Sequence, residues 1–280
     1  MKNAYNTSAY GSFAYVYDIF MDNIPYDEWG KHITGILREY GIHSGLLCEL
    51  GCGTGTMTRY LAGQGYDMIG TDISEEMLAK AREYETDGDI LYLNQDMREL
   101  ELYGTVQAVV SVCDSMNYIM TYDDLCLVLK KVNNYLESGG IFIFDMKTIH
   151  FYSSILADSV QIDNREDAAI IWENHYEVRS RIHNYELTMY IAVDDECYDT
   201  EYDEDECTDE DTDGRLYERY TECHSQKAYT IEEVKKAVKE AGMEFMAVYD
   251  EKTHNEPDEN SERVYFIVRE AYQKGKYYNV

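Results

Sequence analysis

The stretch Glu-Leu-Gly-Cys-Gly-Thr-Gly at residues 49–55 stands between two different hydrophobic patterns. The apolar run 46–48 before it is typical of a strand, whereas Met57, Tyr60 and Leu61 after it recur at the spacing of a helix. The stretch therefore predicts a strand, a glycine turn and the first turn of a helix. Glycines allow such a turn to be tight and let backbone N–H groups approach a ligand closely.

A second apolar run, residues 68–71, ends at Asp72, an acid about 20 residues beyond the glycines. A carboxylate at that point can accept hydrogen bonds from both hydroxyls of a ribose. The two features together predict a nucleoside-containing cofactor across the carboxyl ends of parallel strands. Two common nucleotide loops do not fit, because the dinucleotide pattern GxGxxG needs a third glycine where Thr56 stands, and the pattern GxxxxGK[ST] does not occur.

The pattern that does fit is GxGxG with Glu49 two residues before the first glycine, and it resembles the first motif, ExGxGxG, of the class I S-adenosylmethionine (SAM) methyltransferases. Further segments resemble that family's motifs in the same order. They are Asp72-Ile73-Ser74 with Met77-Leu78 after the second strand, Gln95-Asp96-Met97 after the third, Val112-Cys113-Asp114-Ser115-Met116-Asn117-Tyr118 after the fourth, and Leu136-Glu137-Ser138-Gly139-Gly140 before the fifth. The resemblance covers residues 46–145 and implies SAM as cofactor and S-adenosylhomocysteine as product.

The resemblance also implies which residues bind the cofactor. Glu49 is expected near the methionine amino group, Asp72 at the ribose and Asp96 at the adenine amino group. Ile73 and Met97 are expected on the two faces of the adenine ring. The full set that the resemblance implies is Tyr17, Trp29, Glu49, Gly51, Cys52, Gly53, Gly55, Asp72, Ile73, Met77, Gln95, Asp96, Met97, Cys113 and Asp114.

Several of these residues also have a purely structural interpretation. The glycines could serve only the turn, Asp72 could stabilise a helix N-terminus, and Asp96 could cap a turn. Tyr17 and Trp29 are of types that more often belong to a hydrophobic core. Tyr17 followed by an aspartate nevertheless matches a Tyr-Asp segment that the family places over its cofactor.

Strands and helices alternate along the chain as far as about residue 150. Two helical segments, one with Tyr10, Phe13, Tyr17 and Phe20 and one from Tyr26 to Tyr40, precede the glycine loop. Strands at 90–93, 106–112 and 141–144 follow it, with a helix from Thr121 between the last two. This order predicts an α/β, Rossmann-like, doubly wound and mostly parallel seven-stranded sheet.

The alternation breaks after about residue 150. Stretches of period two at 170–178, 187–193 and 216–223 predict a small antiparallel sheet. Helix and strand then return, with a capping box at 230–233 and a final hairpin of strands 243–249 and 264–268. The predicted cofactor-binding domain is therefore residues 1–150 and 226–280, with residues 151–225 inserted as a β lid. The arrangement is similar to that of the sugar-amine and glycine N-methyltransferases.

The segment 194–213 in this insert contains thirteen acidic residues and no lysine or arginine. Such a run cannot bury itself, and we expect a solvated loop at the tip of a lid hairpin. Docking of a basic partner is one alternative. Calcium is another, but Tyr220 stands where a calcium loop beginning at Asp209 requires a carboxylate.

The composition limits the classes of partner and site. A formal net charge of −31 disfavours nucleic acid. Seven cysteines without a CxxC pair suggest neither a disulfide scaffold nor a metal site, and favour reduced thiols in the cytoplasm. No apolar stretch approaches the length of a membrane span or resembles a signal core. We expect a cytoplasmic monomer or homodimer that contacts no membrane and holds no metal.

Methyl transfer from a sulfonium is an in-line displacement whose leaving group departs as a neutral thioether. It depends mainly on alignment in a dry site, and a base is needed only if the acceptor must lose a proton. The candidate catalytic residues are Asn117, Tyr118 and His224. Tyr118 stands where the sugar-amine enzymes carry a histidine, which is a departure from the family pattern. His224 could equally be a structural histidine.

These residues, with Tyr17, are expected to form an acceptor pocket between the motif after strand 4 and the inserted sheet. The predicted function is methylation of a small molecule, with an amine as the favoured acceptor. A basic protein substrate and a non-catalytic SAM-binding adaptor are the alternatives. Residues 113–118 contain no proline and so lack the [DN]-P-P-[YF] motif of enzymes that methylate nucleic-acid base amines.

Overall fold

The structure is a computed structural model that describes residue 14 and residues 17–22, 24–85, 88–193 and 215–271. The predicted helix positions Tyr10 and Phe13 and the acidic segment 194–213 lie outside the described residues. Within the described ranges, no helix is long and apolar enough to cross a membrane.

The described residues form eleven strands and six α-helices. The strands are β1 (Gly45–Leu50), β2 (Tyr66–Asp72), β3 (Leu91–Asn94), β4 (Val106–Ser111), β5 (Leu136–Lys147), β6 (Val160–Asn164), β7 (Ala168–Glu177), β8 (Ile182–Ala192), β9 (Tyr217–Lys227), β10 (Glu244–Asp250) and β11 (Arg263–Arg269). The helices are α1 (Tyr17–Phe20), α2 (Tyr26–Glu39), α3 (Thr56–Gly63), α4 (Glu75–Tyr84), α5 (Tyr122–Tyr135) and α6 (Ile231–Glu240).

Seven strands form one sheet in the order β10-β11-β5-β4-β1-β2-β3. The five strands from β5 to β3 are mutually parallel, and β11 runs antiparallel to both of its neighbours. The predicted fold class is confirmed, including the final hairpin at the edge of the sheet. Because the glycine loop follows β1 at the centre, ligands can reach the carboxyl ends of the strands on both sides of it.

Helices cover both faces of this sheet with apolar side chains. On one face, α5 and α6 contribute Leu129 and Val238 to a continuous core. On the other, α2 and α3 contribute Ile33 and Leu61. Fully burying one such side chain stabilises the fold by roughly 1.5–3 kcal/mol. Helix α6 begins with the predicted capping box, in which Thr230 and Glu233 bond to each other's backbone N–H groups.

The bounds of β5 differ from those predicted. The strand begins at Leu136 rather than at 141, and it includes Gly139 with a φ of 78°. Its register with β4 shifts in this early part, where its residues are partly exposed. The apolar run that predicted the strand covers only the part buried on both faces.

The inserted segment forms a separate four-stranded antiparallel sheet in the order β6-β7-β8-β9. Strand β6 was not predicted: its alternation of apolar and polar residues covers only Val160 to Asp163, and both of its apolar side chains, Val160 and Ile162, are exposed. Strand β9 runs to Lys227, past the predicted boundary at 225. The assignment of 151–225 as a separate lid remains a prediction.

The small sheet packs over the carboxyl ends of β4 and β5. Asn117, in a short helical turn after β4, donates from its amide to the carbonyl oxygens of Lys147 on β5 and Lys227 on β9. Gln226 on β9 donates to Asp114, which also follows β4. These bonds join three chain segments at the edge where the glycine loop lies.

A buried ion cluster stabilises the same junction. Arg263 at the start of β11 pairs with Asp145 on β5 and, at 2.9 Å, with Asp114. Lys147 lies 3.3 Å from the second oxygen of Asp114. Burial opposes the ionised form of Asp114, but the adjacent lysine and arginine hold its pKa below its usual value.

Replacing Arg263 by alanine should destabilise the protein strongly. The substitution leaves two buried carboxylates without their shared cation, a change that costs about 3–5 kcal/mol. The free energy of unfolding in urea measures it. Arg269→Ala, at the other end of the same strand, removes a partly exposed arginine 3.9 Å from Glu244 and should cost less than about 1 kcal/mol. Equal losses in the two variants would show that the cluster contributes no special stability.

Candidate active site

A cavity of about 410 Å³ lies at the carboxyl ends of the central strands. Most of the predicted cofactor residues line it. The lining residues that were predicted are Tyr17, Glu49, Gly51, Cys52, Gly53, Asp72, Ile73, Met77, Gln95, Asp96, Met97, Cys113 and Tyr118.

The glycine loop forms the floor of the cavity. Gly51, Gly53 and Gly55 all have positive φ, at 69°, 54° and 76°. A Cβ atom on Gly51 would fall 2.6 Å from the hydroxyl oxygen of Ser115, so the loop can approach the segment after β4 only with glycine there. A Cβ atom on Gly53 would meet nothing within 4 Å, which shows that its backbone faces open space.

Glu49 is a buried carboxylic acid in the cavity wall. It is 1% exposed and accepts a hydrogen bond from the hydroxyl of Thr58 on α3. Burial raises its pKa to about 8, which the bond from Thr58 only partly opposes. At neutral pH this carboxyl is therefore mostly protonated in the ligand-free protein, and a cation beside it would favour the charged form.

Asp72 connects the glycine loop to the end of β2. One of its carboxylate oxygens accepts from the backbone N–H of Gly53 at 2.8 Å, and the other from that of Ser74 at 2.9 Å. Burial nevertheless raises its pKa. Each carboxylate oxygen has more than one lone pair, so the group can accept further hydrogen bonds from a ligand.

Asp96 lies at the far end of the cavity, after β3. Hydrogen bonds from the Arg98 side chain lower its pKa. The side-chain amide of Gln95 donates to the carbonyl oxygen of Glu101 and accepts from the backbone N–H of the same residue. These two bonds close the turn. Ile73 remains 63% exposed at the cavity rim, where an apolar ligand surface could cover it.

Two tyrosines from the first two helices also line the cavity. Tyr17 on α1 bonds to Tyr26 on α2, and burial raises the pKa of both hydroxyls. The Tyr26 hydroxyl also accepts from the thiol of Cys113 at 3.6 Å. The next residue of α1, Asp18, accepts from the Thr54 hydroxyl of the glycine loop at 2.9 Å. Helix α1 therefore contacts the loop directly.

The inserted sheet contacts the cavity wall at Tyr118, which lies in the short helical turn after β4. Its hydroxyl bonds to that of Tyr185 on β8 and lies 3.3 Å from Nδ1 of His224 on β9. His224 is itself 4% exposed and does not line the cavity. The inserted sheet thus lies on the expected side of the cavity.

Five of the predicted site residues do not line the cavity. Trp29 lies in the core, donates to Glu251 at 2.8 Å and has Arg263 over its ring. Asp114 is occupied by the ion cluster and Asn117 by backbone carbonyls. The five residues that do not line the cavity are Trp29, Gly55, Asp114, Asn117 and His224.

Some lining residues were not predicted from the sequence. They are Tyr26, Thr54, Thr56, Met57, Arg98, Val112, Ser115, Ile119 and Met120. Most adjoin a predicted residue in the chain, so widening each motif by one or two positions would have found them. Tyr26 had no such signal, since only the fold brings α2 to the end of β4.

Comparisons with known proteins bear on this site. Residues 47–140 match a family model described as a methyltransferase domain. The chain is 33% identical over 266 residues to "Putative methyltransferase YqeM" of Bacillus subtilis, covering 94% of this chain and 97% of that protein. The chain belongs to the class I SAM-dependent methyltransferases.

Two further similarities concern a relative and a solved structure. The dTDP-3-amino-3,4,6-trideoxy-alpha-D-glucopyranose N,N-dimethyltransferase of Streptomyces venezuelae is 30% identical over 133 residues, covering 46% of this chain and 55% of that protein. A SAM-dependent methyltransferase of Clostridium acetobutylicum has a TM-score of 0.77 at 24% identity, covering 95% of this chain and all of that one. The latter similarity concerns the fold.

The groups that line the cavity of this methyltransferase have the chemistry to hold SAM. SAM carries a sulfonium, an ammonium and an adenine ring. Glu49 and Asp72 are two buried carboxyls on one side of the cavity, and Ile73 offers an exposed apolar surface at its rim. The open backbone at Gly53 allows a ligand to approach the loop closely.

The stability of the ligand-free methyltransferase should depend on the protonation of Glu49. The pKa of Glu49 is raised in the folded state. Its contribution to the free energy of unfolding is therefore complete below the usual carboxyl pKa of about 4.5, and it is lost as the pH rises through about 8. Glu49→Gln is neutral throughout. At roughly 1.4 kcal/mol per pKa unit, the unfolding free energy of wild type should fall by several kcal/mol relative to this variant.

Urea unfolding between about pH 5 and pH 9 measures this difference. Glu39→Gln, at an exposed position of α2, is the matched control and should follow wild type across the range. Parallel curves for Glu49→Gln and wild type would contradict the raised pKa.

Proposed function

We propose that this protein transfers a methyl group from SAM to a small-molecule acceptor, most favourably an amine. The observation that carries the proposal is the continuous cavity from Asp96 and Asp72, past the glycine loop, to Tyr118 beneath the lid. Its volume of about 410 Å³ suits a small ligand rather than a folded polymer. The amine is supported by the amino-sugar N,N-dimethyltransferase to which part of the chain is similar.

The chain's own residues have distinct roles in this proposal. Glu49 would hold the ammonium group, Asp72 the ribose hydroxyls, and Asp96 the adenine amino group. Ile73 and Met97 would cover the ring, while Tyr17 would lie over the cofactor beside the glycine loop. SAM supplies an electrophilic methyl carbon, and the protein's task is to align the acceptor with it and to exclude water.

A basic protein substrate is the second candidate. The formal charge of −31 would attract it. A peptide chain would have to reach Tyr118 past the lid, which makes the small acceptor the better fit to the described residues. A non-catalytic adaptor would bind SAM without transferring its methyl group.

Radiolabelled SAM distinguishes these candidates. The full chain is incubated with SAM labelled on the methyl carbon and, separately, with dTDP-linked amino sugars, simple primary and secondary amines, and a lysine-rich protein such as a histone. Label in an amine supports the proposal, and label only in the histone favours the protein substrate. Tight SAM binding with no label in any acceptor supports the adaptor.

Asp72→Ala should weaken the binding of S-adenosylhomocysteine by roughly 10- to 100-fold, since hydrogen bonds to a charged group are worth about 1.5–3 kcal/mol each. Isothermal calorimetry measures the Kd. Asp67→Ala, at an exposed position on the same strand, should bind like wild type. Unchanged affinity in Asp72→Ala, with the fold intact by circular dichroism, would reject the ribose role.

A further inference from the structure

We propose that Glu222, on the return strand of the lid, is a positioning residue that orients His224 to receive a proton from Tyr118 during methyl transfer. The inference rests on the proposed function, because it assumes an acceptor that loses a proton. It assigns a route for that proton through Tyr118 and His224 and gives a role to the buried carboxylate of Glu222.

The three residues are connected by hydrogen-bonding distances. Tyr118 lines the cavity, and its hydroxyl lies 3.3 Å from Nδ1 of His224. The other ring nitrogen of His224, Nε2, lies 3.2 Å from a carboxylate oxygen of Glu222. A cavity-lining group is therefore joined, through an imidazole, to a carboxylate inside the lid.

Burial of the pair makes a purely stabilising role a poor explanation. The side chains of His224 and Glu222 have no exposed surface, and Glu222 pairs in register with the apolar Leu187 on β8. Replacing such a buried ionisable pair by apolar residues is often neutral or stabilising. Here the buried pair also reaches, through Nδ1 of His224, a hydroxyl that lines the cavity.

The geometry also determines which ring nitrogen can accept. An ionised carboxylate only accepts hydrogen bonds, so with Glu222 ionised the proposal places a proton on Nε2 of His224, which donates to Glu222. In the neutral imidazole, Nδ1 is then the acceptor and faces the Tyr118 hydroxyl. A carboxylate that fixes the tautomer of a histidine in this way performs the orienting part of a catalytic triad.

Tyr185 completes the support of this arrangement. Its ring is stacked on that of His224 at a centroid distance of 4.7 Å and an angle of 7°. Its hydroxyl bonds to that of Tyr118. Ring and hydroxyl together hold the imidazole and the phenol in one relative position, as a proton transfer between them requires.

The proposed step balances as follows. The lone pair of the acceptor nitrogen forms the new C–N bond while the C–S bond breaks, and its electron pair remains on sulfur. The surplus proton on nitrogen passes to the Tyr118 oxygen as the Tyr118 proton passes to Nδ1 of His224. The resulting imidazolium is stabilised by the Glu222 carboxylate. After the product leaves, the proton returns by the same route to water in the cavity.

The tautomer of His224 tests the arrangement without an acceptor. The full chain, with ¹⁵N-labelled histidine and bound S-adenosylhomocysteine, is examined by long-range ¹H–¹⁵N NMR at alkaline pH, where imidazoles are neutral. His224→Gln assigns the signal among the seven histidines. We expect a protonated Nε2 and an unprotonated Nδ1. A proton on Nδ1 overturns the proposal, because His224 could then only donate to Tyr118.

The kinetic test uses Glu222→Gln, which keeps the size and a hydrogen-bond acceptor but removes the charge. With the amine that becomes labelled in the assay above, kcat should fall roughly tenfold or more, as for other losses of acid–base assistance. The KM for the acceptor and the Kd for S-adenosylhomocysteine should stay within about twofold. Glu173→Gln, on the exposed side of β7, is the matched control and should retain wild-type kcat.

A double variant separates a relay from independent contributions. Tyr118→Phe should lower kcat by about the same factor, and combining it with Glu222→Gln should add little, since groups that act as one unit are non-additive. Fully additive losses, or a wild-type kcat in Glu222→Gln, refute the relay. Melting temperatures show whether each variant folds.

Failure of the relay and failure of the proposed function give different results. If no amine is labelled, the proposed function fails and the NMR measurement alone decides whether Glu222 sets the tautomer of His224. If an amine is labelled but the variants behave like wild type, the function stands and the relay is wrong.

Discussion

One buried arginine determines how the carboxyl edge of the sheet is organised. Arg263 joins Asp145 of β5 to Asp114, the residue that follows the turn out of β4. Cys113 and Asp114 both have positive φ, near 57° and 55°, a conformation that costs about 1–3 kcal/mol for each residue that is not glycine. The ion cluster offsets this strain. Cys113, before Asp114 in the chain, and Tyr118, after it, therefore line the cavity, whereas Asp114 does not.

The same cluster joins the small sheet to the segment after β4 that lines the cavity. Gln226 on β9 bonds to Asp114, and Asn117 bonds to the backbone of β5 and β9. The lid is thus attached to the segment that carries Tyr118, not to a distant part of the sheet. Any displacement of this segment would move the cavity wall and the lid together, which keeps Tyr118 beside His224.

The sequence was sufficient to predict the sheet. The predicted Gly51, Gly53 and the acids at 49, 72 and 96 line one cavity, because strand ends meet at one edge of a parallel sheet. Asp114 and Asn117 do not line this cavity, because they bond to Arg263 and Lys227, which are distant in the chain. Tyr26 and Glu222 were missed for the same reason: each acquires its neighbours only from tertiary packing, and neither belongs to a local motif.

Two buried carboxyls at the site lower the stability of the ligand-free protein. Glu49 and Asp72 are buried carboxyls whose pKa values are raised by desolvation, so the ligand-free protein holds them at a cost in stability. In the proposed roles, an ammonium beside Glu49 would lower that cost by supplying a positive charge, and ribose hydroxyls would donate hydrogen bonds to Asp72. Neutral nucleosides would lack this compensation. The same carboxyls that weaken the empty protein would therefore favour a ligand that carries an ammonium over analogues that lack one.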